Sequence, residues 1–499
     1  MTKGPTTLPS WVHSNPVALG HAERIAPTIE DAQEDIGRHI RAVIKKVFED
    51  PDIRKAGKGA VIRYTTMCGE VIRRILAMKE MDPGLINVLA IGDVTLPPEA
   101  KTTMDELVEA AHGYERELTA EGYGYDLASQ GSLRARSATI DYLDSHYGFS
   151  AQEGLRDVLV KNTGVSSGGM RALNDIASSF VLSATRDREH PSRPRFIQPD
   201  NSFGTWRQIA KNSSMDGREA DIHTINTEQK NLLHLTASQV DDFYASNPHE
   251  TEDRKYSDLW YITPVGNPSG TRMTPSQLSD VAKAIVRNNP NATIVLDCVY
   301  VRTLRKEDAN ALLKDIISDP TVMDRVLFVE SLSKTHGIPG KRVGVYFSKN
   351  PDIFGKVLNL NMTVSAGNGY DKDALLLAVA NSTPEQEKVF KDLHEFWARE
   401  RRGLFHYLRQ PQFSYLFDED QSHITPEQME NPLGLYLFMK LESGVTYQDV
   451  AIATGCLGVE DKDMGAGTFI RFSVGKITEP TYAKYIPEVE EVGEVGEVT

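Results

Sequence analysis

The chain has 499 residues, 40% of them hydrophobic and 25% charged, and a net charge of −15. That length can bury one large core or two. The negative balance excludes a nucleic-acid or anionic-membrane partner held by the overall field, so a bound phosphate would need a local cluster of cations. Three widely spaced cysteines, Cys68, Cys298 and Cys456, form no metal or redox spacing and suit a reducing cytosol. No run of eighteen apolar residues predicts a membrane span, and Met1 to Ser10 lacks the apolar centre of a signal peptide. The expectation is a cytoplasmic protein without a metal site.

Residues 1–20, rich in Pro, Ser, Thr and Gly, read as a flexible arm. From Thr28 to about Glu49 apolar residues recur at helical spacing (Ile36, Ile40, Val43, Ile44, Val47), and Asp50-Pro51-Asp52 ends the run. A second helix is predicted at Glu70–Lys79. Leu85–Ile91 is a short apolar run before Gly92-Asp93, the pattern of a strand ending in a turn. Then strands and helices alternate. Strands are predicted at Asp157–Lys161, Arg195–Gln198, Leu259–Thr263, Thr293–Leu296 and Val326–Val329. Helices are predicted at Gly169–Val181, Gly204–Lys211, Ser276–Asn288 and Asn310–Ile317. The alternation predicts an α/β domain with a mainly parallel sheet. The chemistry-bearing residues follow the strands, where open α/β sheets bind ligands. Past residue 350 a long helix, Pro384–Leu408, and strands at Gly434–Leu441 and Phe469–Val474 predict a smaller α+β domain. The division expected is an arm and helical extension at 1–85, a large domain at 86–350, a small domain at 351–486 and a low-complexity acidic tail, read as disordered, at 487–499.

Lys334 lies in Ser331-Leu-Ser-Lys-Thr-His-Gly-Ile-Pro-Gly-Lys-Arg342. A lysine can condense with an aldehyde, and Ser331 and Arg342 can hold a phosphate; by itself the stretch reads equally as a surface loop. Asn267-Pro-Ser-Gly270 follows a strand, and is either a tight turn or an amide aimed at a ligand. Asp297 ends a buried strand, where a carboxylate needs a partner such as a protonated pyridine nitrogen, or caps a helix. Tyr300 follows it, able to donate to a ring oxygen. Ser166-Ser-Gly168-Gly169-Met170-Arg171 joins a strand to a helix and offers amides to an anion. Phe203, in a turn, either stacks on a planar ring or packs in the core. Arg471 interrupts an apolar strand, and its planar fork suits a carboxylate.

Taken together, these motifs resemble the class I/II aminotransferases, fold-type-I enzymes that use pyridoxal 5′-phosphate. Their order matches, as do the intervals of 30 from Asn267 to Asp297, 3 to Tyr300, 34 to Lys334 and 8 to Arg342. Ile91-Gly-Asp93 and the stretch from Tyr123 through Gly131 to Arg136 resemble the family's earlier segments. The resemblance implies an α/β fold with a mainly parallel seven-stranded sheet in the large domain. It implies that Lys334 carries the cofactor as an internal aldimine and moves the proton, that Asp297 pairs with the pyridine nitrogen, and that Asn267 and Tyr300 bind the ring oxygen. Gly168, Gly169, Met170, Ser331 and Arg342 would hold the phosphate, Phe203 would stack on the ring, and Arg471, beside Asn267, would take the substrate carboxylate. Tyr125 of the partner subunit would reach the phosphate, which implies a homodimer. The interval from Tyr125 to Gly131 is one residue longer than usual, which leaves Tyr123 as the alternative.

Cys298 stands where the family has glutamate, His336 where an aromatic is frequent, and the Pro-Gly expected before the Arg471 strand is missing. The function expected is transfer of the α-amino group of an L-amino acid to a 2-oxo acid. The alternative is β- or γ-elimination, replacement or cyclisation on the same fold. A regulator joining this fold to a DNA-reading module would need a basic helix-turn-helix segment, and residues 1–85 mix acidic and basic residues instead.

Overall fold

A computed structural model describes residues 87–89, 92–120, 130–186, 192–214, 220–251, 254–365, 369–431, 433–445, 447–460 and 469–487. The predicted arm, the helices at 28–49 and 70–79, Tyr123, Tyr125 and residues 488–499 lie outside the described residues.

The elements used below are, in chain order, β1 (Asn87–Val88), α1 (Pro98–Leu118), α2 (Leu133–Tyr147), α3 (Leu155–Lys161), β2 (Thr163–Ser166), α4 (Gly169–Arg186), β3 (Arg193–Pro199), α5 (Gly204–Ser213), β4 (Asp221–Ile225), β5 (Glu250–Thr251), β6 (Arg254–Ile262), α6 (Pro275–Asn288), β7 (Thr293–Asp297), α7 (Lys306–Ser318), β8 (Val326–Ser331), α8 (Leu332–Thr335), β9 (Gly344–Ser348), α9 (Pro351–Ser365), α10 (Tyr370–Ala380), α11 (Pro384–Leu408), α12 (Pro426–Glu430), β10 (Tyr436–Lys440), β11 (Cys456–Leu457), β12 (Val459–Glu460) and β13 (Phe469–Ser473).

The main sheet runs β2-β9-β8-β7-β6-β3-β4, with the two-residue β5 paired to β6 off this path. The pairs β8–β7, β7–β6, β6–β3 and β3–β4 are parallel, and β9 lies antiparallel between β8 and β2. The seven-stranded, mainly parallel sheet implied by the resemblance is therefore present. Both faces are covered. On one, Leu173 and Ile176 of α4 and Trp206 of α5 pack with Tyr261, Val295 and Leu327 of the strands. On the other, Ile140 of α2, Val281 of α6 and Leu312 of α7 pack with Trp260, Leu296 and Phe328. Parallel strands buried on both faces read as near-continuous apolar runs, which is why β7 and β8 are visible in the sequence. α6 shows the helical counterpart: Thr274 accepts from the Gln277 amide, Pro275 opens the first turn, and Leu278, Val281, Ala282 and Ile285 form one buried stripe.

One expectation needs correction. Asp157–Lys161 is not a strand but part of α3, in which Leu155, Leu159 and Val160 are buried; the apolar run is a helix face, with Asp157 in its first turn and Lys161 in its last. The strand comes just afterwards, as β2, whose Thr-Gly-Val-Ser sequence has no apolar run and is held by pairing with β9. Of Leu85–Ile91, within the described residues, only Asn87 and Val88 pair as a strand, in parallel with Cys456 and Leu457. β4 and β9 add strands that the apolar pattern does not announce.

The C-terminal part carries a three-stranded sheet, β10-β13-β12, with Arg471 on the middle strand opposite Phe438 and Val459. α9 packs on α4, and α10 packs on α1 and α2. α11 matches its predicted bounds; Thr383 and Gln386 form its capping box.

Candidate active site

The turns leaving β2, β6, β7 and β8 converge at the carboxyl end of the sheet. Register does much of this: Ser166, Gly344 and Ser331 lie side by side across β2, β9 and β8. That brings the Gly168-Gly169 turn beside the lysine-bearing α8. The approach is close, since a methyl group on Gly169 would lie 3.6 Å from Ser331 Cβ.

Asp297 closes β7 and is 7% exposed. Its Oδ2 accepts from the Tyr261 hydroxyl at 2.6 Å and its Oδ1 from the Val299 amide at 3.2 Å. Trp206 stacks on Tyr261, with ring centroids 4.6 Å apart. Burial pushes the Asp297 carboxyl up to about 6, against the pull of these two donors. Both donors are neutral, and among the described residues no cation pairs with this carboxylate.

Lys334 sits in α8, and its ammonium donates to the Gly92 carbonyl. The Tyr300 hydroxyl lies 2.9 Å from that of Tyr436 on β10. Gly92 faces the same tyrosine: a side chain there would run into the Tyr436 hydroxyl. The Arg471 guanidinium stands 4.5 Å from the centroid of the Tyr436 ring, and its Nη1 donates to Asn267 Oδ1 at 2.8 Å. Arg471 is buried. Burial raises the Tyr436 phenol, but the Lys334 ammonium, the Arg471 guanidinium and the Tyr300 hydrogen bond outweigh it, and the net direction is down. Burial carries the Tyr300 phenol well above its ordinary value.

The Asn267 turn is supported from below by His234, which is buried and held at about 4 by that burial, hence neutral. It shares the Thr271 hydroxyl at 3.1 Å, and that hydroxyl donates to the Leu232 carbonyl at 2.7 Å. Gly270, at φ +61, is pressed against the Tyr436 carbonyl where no side chain fits.

An anion cradle lies beside the lysine. Gly168, at φ +89, leads into the 18-residue α4, whose first-turn amides and dipole favour negative charge. A methyl carbon on Gly168 would lie 3.1 Å from Arg342 Nη2. Ser331 and Ser333 hydroxyls are 2.8 Å apart, and Ser331 Oγ also donates to the Val343 carbonyl. The side chain of Met170 is 46% exposed, so only its backbone belongs to the cradle. Phe203 immediately precedes α5, half-buried against the cluster that holds Trp206 and Tyr261.

The site thus unites Lys334, Asp297, Tyr300, Asn267, Ser331, Arg342, Gly168, Gly169 and Arg471. The motif reading passed over Tyr436, Tyr261 and His234. No local signal marks them, since each is defined by a partner 36 to 136 residues away. These groups fit pyridoxal phosphate: a buried carboxylate lacking a cation for the ring nitrogen, a helix N-terminus with serines and an arginine for the phosphate, and a lysine amine on the short helix that follows Ser331.

Comparison with known proteins agrees. Residues 202–432 match the family model for aminotransferase class I and II. A 1-aminocyclopropane-1-carboxylate synthase of Prunus mume is 31% identical over 93 residues, 18% of either chain. Such a synthase of Arabidopsis thaliana is 30% identical over 142 residues, 27% of this chain and 28% of the relative. The matches therefore span less than a third of those relatives' length. A kynurenine–oxoglutarate transaminase of Dictyostelium discoideum is 24% identical over 231 residues, 42% of this chain and 51% of the relative. Among solved structures, an aspartate aminotransferase mutant of Thermus thermophilus superposes with a TM-score of 0.62 at 16% identity, over 84% of this chain and 94% of that one. The Thermotoga maritima aspartate aminotransferase gives 0.60 at 17%, over 85% and 96%. At such identities the structural likeness is one of fold; the class I and II aminotransferase match lies on residues 202–432, the segment that carries Phe203, Asn267, Asp297, Tyr300, Lys334 and Arg342.

Proposed function

We propose that this enzyme transfers the α-amino group of an L-amino acid to a 2-oxo acid. The observation that carries the reading is the convergence on Tyr436 of the Tyr300 hydroxyl, the Gly92 backbone that accepts from the Lys334 amine, and the Arg471–Asn267 pair. When bound, the cofactor supplies an electron sink for the pair left at the substrate's Cα. This chain's residues do the rest. Asp297 holds positive charge on the ring nitrogen, which returns its own carboxyl from about 6 toward the ordinary range. Arg471 binds the α-carboxylate through its fork, and Asn267 orients that fork. Lys334 Nζ would be the base that takes the proton from the substrate's Cα and the acid that delivers it to the cofactor's C4′ carbon. Tyr300 donates toward the ring oxygen, with Tyr436 steadying its hydroxyl. Gly168, Gly169, the Met170 backbone, Ser331 and Arg342 hold the phosphate, and Phe203 covers the ring. On this reading residues 86–350 form the cofactor domain, 351–486 the domain that presents Arg471, and the active unit is a homodimer completed by Tyr125 of the partner subunit.

A second reading rests on the matches to 1-aminocyclopropane-1-carboxylate synthases: elimination, replacement or cyclisation with the same cofactor contacts. One experiment separates the two. Incubation of the loaded enzyme with single amino acids, without an acceptor, should yield a 2-oxo acid and pyridoxamine phosphate by mass. Release of a leaving group or a cyclic product with the cofactor unchanged selects the second reading. Lys334→Ala should abolish the lysine-bound cofactor absorbance; an unaltered spectrum removes Lys334 from both.

A further inference from the structure

Next to the lysine lies a buried polar network that the family motifs do not use. Arg302 is 6% exposed and Glu330 1%. Arg302 belongs to the 3₁₀ turn Val301–Thr303, directly after Tyr300. Its Nε lies 3.4 Å from Glu330 Oε2, and its Nη2 donates to Thr335 Oγ1 at 3.3 Å. Thr335 is the residue after Lys334. The Tyr147 hydroxyl donates to Glu330 from α2, and the Tyr142 ring packs under the guanidinium at 5.3 Å. The other side of Thr335 is held as well. His336 Nδ1 stands 3.0 Å from its hydroxyl, and His394 Nε2, from α11, reaches its carbonyl at 2.8 Å. Burial holds His394 at about 4 and His336 well below its ordinary value, so both imidazoles are neutral. Glu330 is the acidic partner that faces Arg302 at the centre of this network; burial pushes its carboxyl up to about 7, against the pull of the guanidinium and the Tyr147 hydroxyl.

A buried ion pair is weak evidence for stability, because desolvation offsets most of its attraction. What this pair does have is geometry. One guanidinium joins the turn that carries Tyr300 to the helix that carries Lys334. We propose that Arg302, seated by Glu330, is a positioning residue that sets the separation of the Tyr300 hydroxyl and the Lys334 amine through its bond to Thr335. A pair misplaced by about 1 Å can cost on the order of a hundredfold in rate. The proposal also gives His336 a place: it completes the hydroxyl's hydrogen bonding in the core and does not enter the cleft. The inference rests on the reading of Lys334 and Tyr300 given above.

The test uses Thr335→Val, Thr335→Ser and Arg302→Lys in the full chain. Two quantities are read: the rate at which cofactor-free protein captures pyridoxal phosphate, followed by absorbance, and kcat and KM of the loaded enzyme. Thr335→Val should slow capture and lower kcat by about tenfold to a hundredfold with KM little changed, and Thr335→Ser should restore both. Arg302→Lys keeps the charge against Glu330 but cannot span both partners; it should lower kcat similarly while melting close to the parent. Capture and kcat within about twofold of the parent in Thr335→Val overturn the proposal. If that variant does not fold, Arg302→Lys decides alone by the same criterion. Lower melting with unchanged kcat marks the network as structural and also overturns it. Failure of Lys334→Ala to abolish cofactor absorbance would instead sink the underlying reading.

Discussion

Asp297→Asn tests the electrostatics of the site in a way that catalytic assays cannot. The carboxyl is buried, meets only the Tyr261 hydroxyl and the Val299 amide, and is raised from 3.8 to about 6 by burial. At about 1.4 kcal/mol for each pH unit, folding the cofactor-free protein with this group ionised costs about 3 kcal/mol. The sign follows from the direction of the shift. A carboxyl raised by folding binds its proton more tightly in the native state. Below about pH 4 both states are protonated and the group contributes nothing beyond its neutral contacts. Between about 4 and 6 the unfolded chain ionises first, so stability falls as pH rises, and above 6 the full penalty persists. The amide has the same shape and no charge to bury: its oxygen can keep the Val299 amide while its NH2 donates to the Tyr261 hydroxyl oxygen. Cofactor-free Asp297→Asn should therefore be more stable than the parent by up to about 3 kcal/mol at pH 7.5, with the difference vanishing near pH 4. Once cofactor is bound the order reverses, because only the carboxylate pairs with a cationic ring nitrogen. Urea denaturation of both proteins at pH 4.5, 6 and 7.5, with and without cofactor, measures this. Equal stability of the cofactor-free proteins at pH 7.5, or a gap that widens on acidification, would refute the reasoning.

Three further outcomes are expected. Arg471→Lys keeps a cation but loses the fork that reaches Asn267, so kcat/KM for amino acids should fall about tenfold to a hundredfold, mainly through KM; unchanged steady-state kinetics would make Arg471 structural. Tyr436→Phe removes one neutral hydrogen bond from Tyr300, worth about 0.5–1.5 kcal/mol, and should lower kcat/KM roughly threefold to tenfold without unfolding the protein; parent-like turnover would show that Tyr300 needs no such support. Gly270→Ala places a side chain against the Tyr436 carbonyl at a positive φ, and should cost about 1–3 kcal/mol by chemical denaturation; a neutral result would mean that the turn can shift.

Much of the site was legible because its signals are short-range. Ser331 to Arg342 spans one strand end, one helical turn and a loop. Asn267 to Gly270 and Asp297 to Tyr300 are likewise single turns, each set at the end of an apolar strand. Where local pattern and tertiary pairing disagreed, pairing won. The run at Asp157–Lys161 carries strand-forming residues yet coils as α3, because Leu155, Leu159 and Val160 then share one buried face. Thr163–Ser166 has no apolar run yet forms β2, because β9 supplies its hydrogen bonds.

The order and chemistry of the motifs, and the α/β alternation that carries them, are properties of the chain alone, since turns, caps and apolar periodicity act within a few residues. The tertiary structure alone decides which distant groups meet: Arg471 with Asn267 across 204 residues, Tyr436 with Tyr300 across 136, and Arg302 with Thr335 across 33. Those meetings depend on strand order and register, with β9 inserted between β8 and β2 and β13 at the centre of its own sheet. Strand order and register follow from burying two helical layers against one twisted sheet, and that is a property of the whole chain at once.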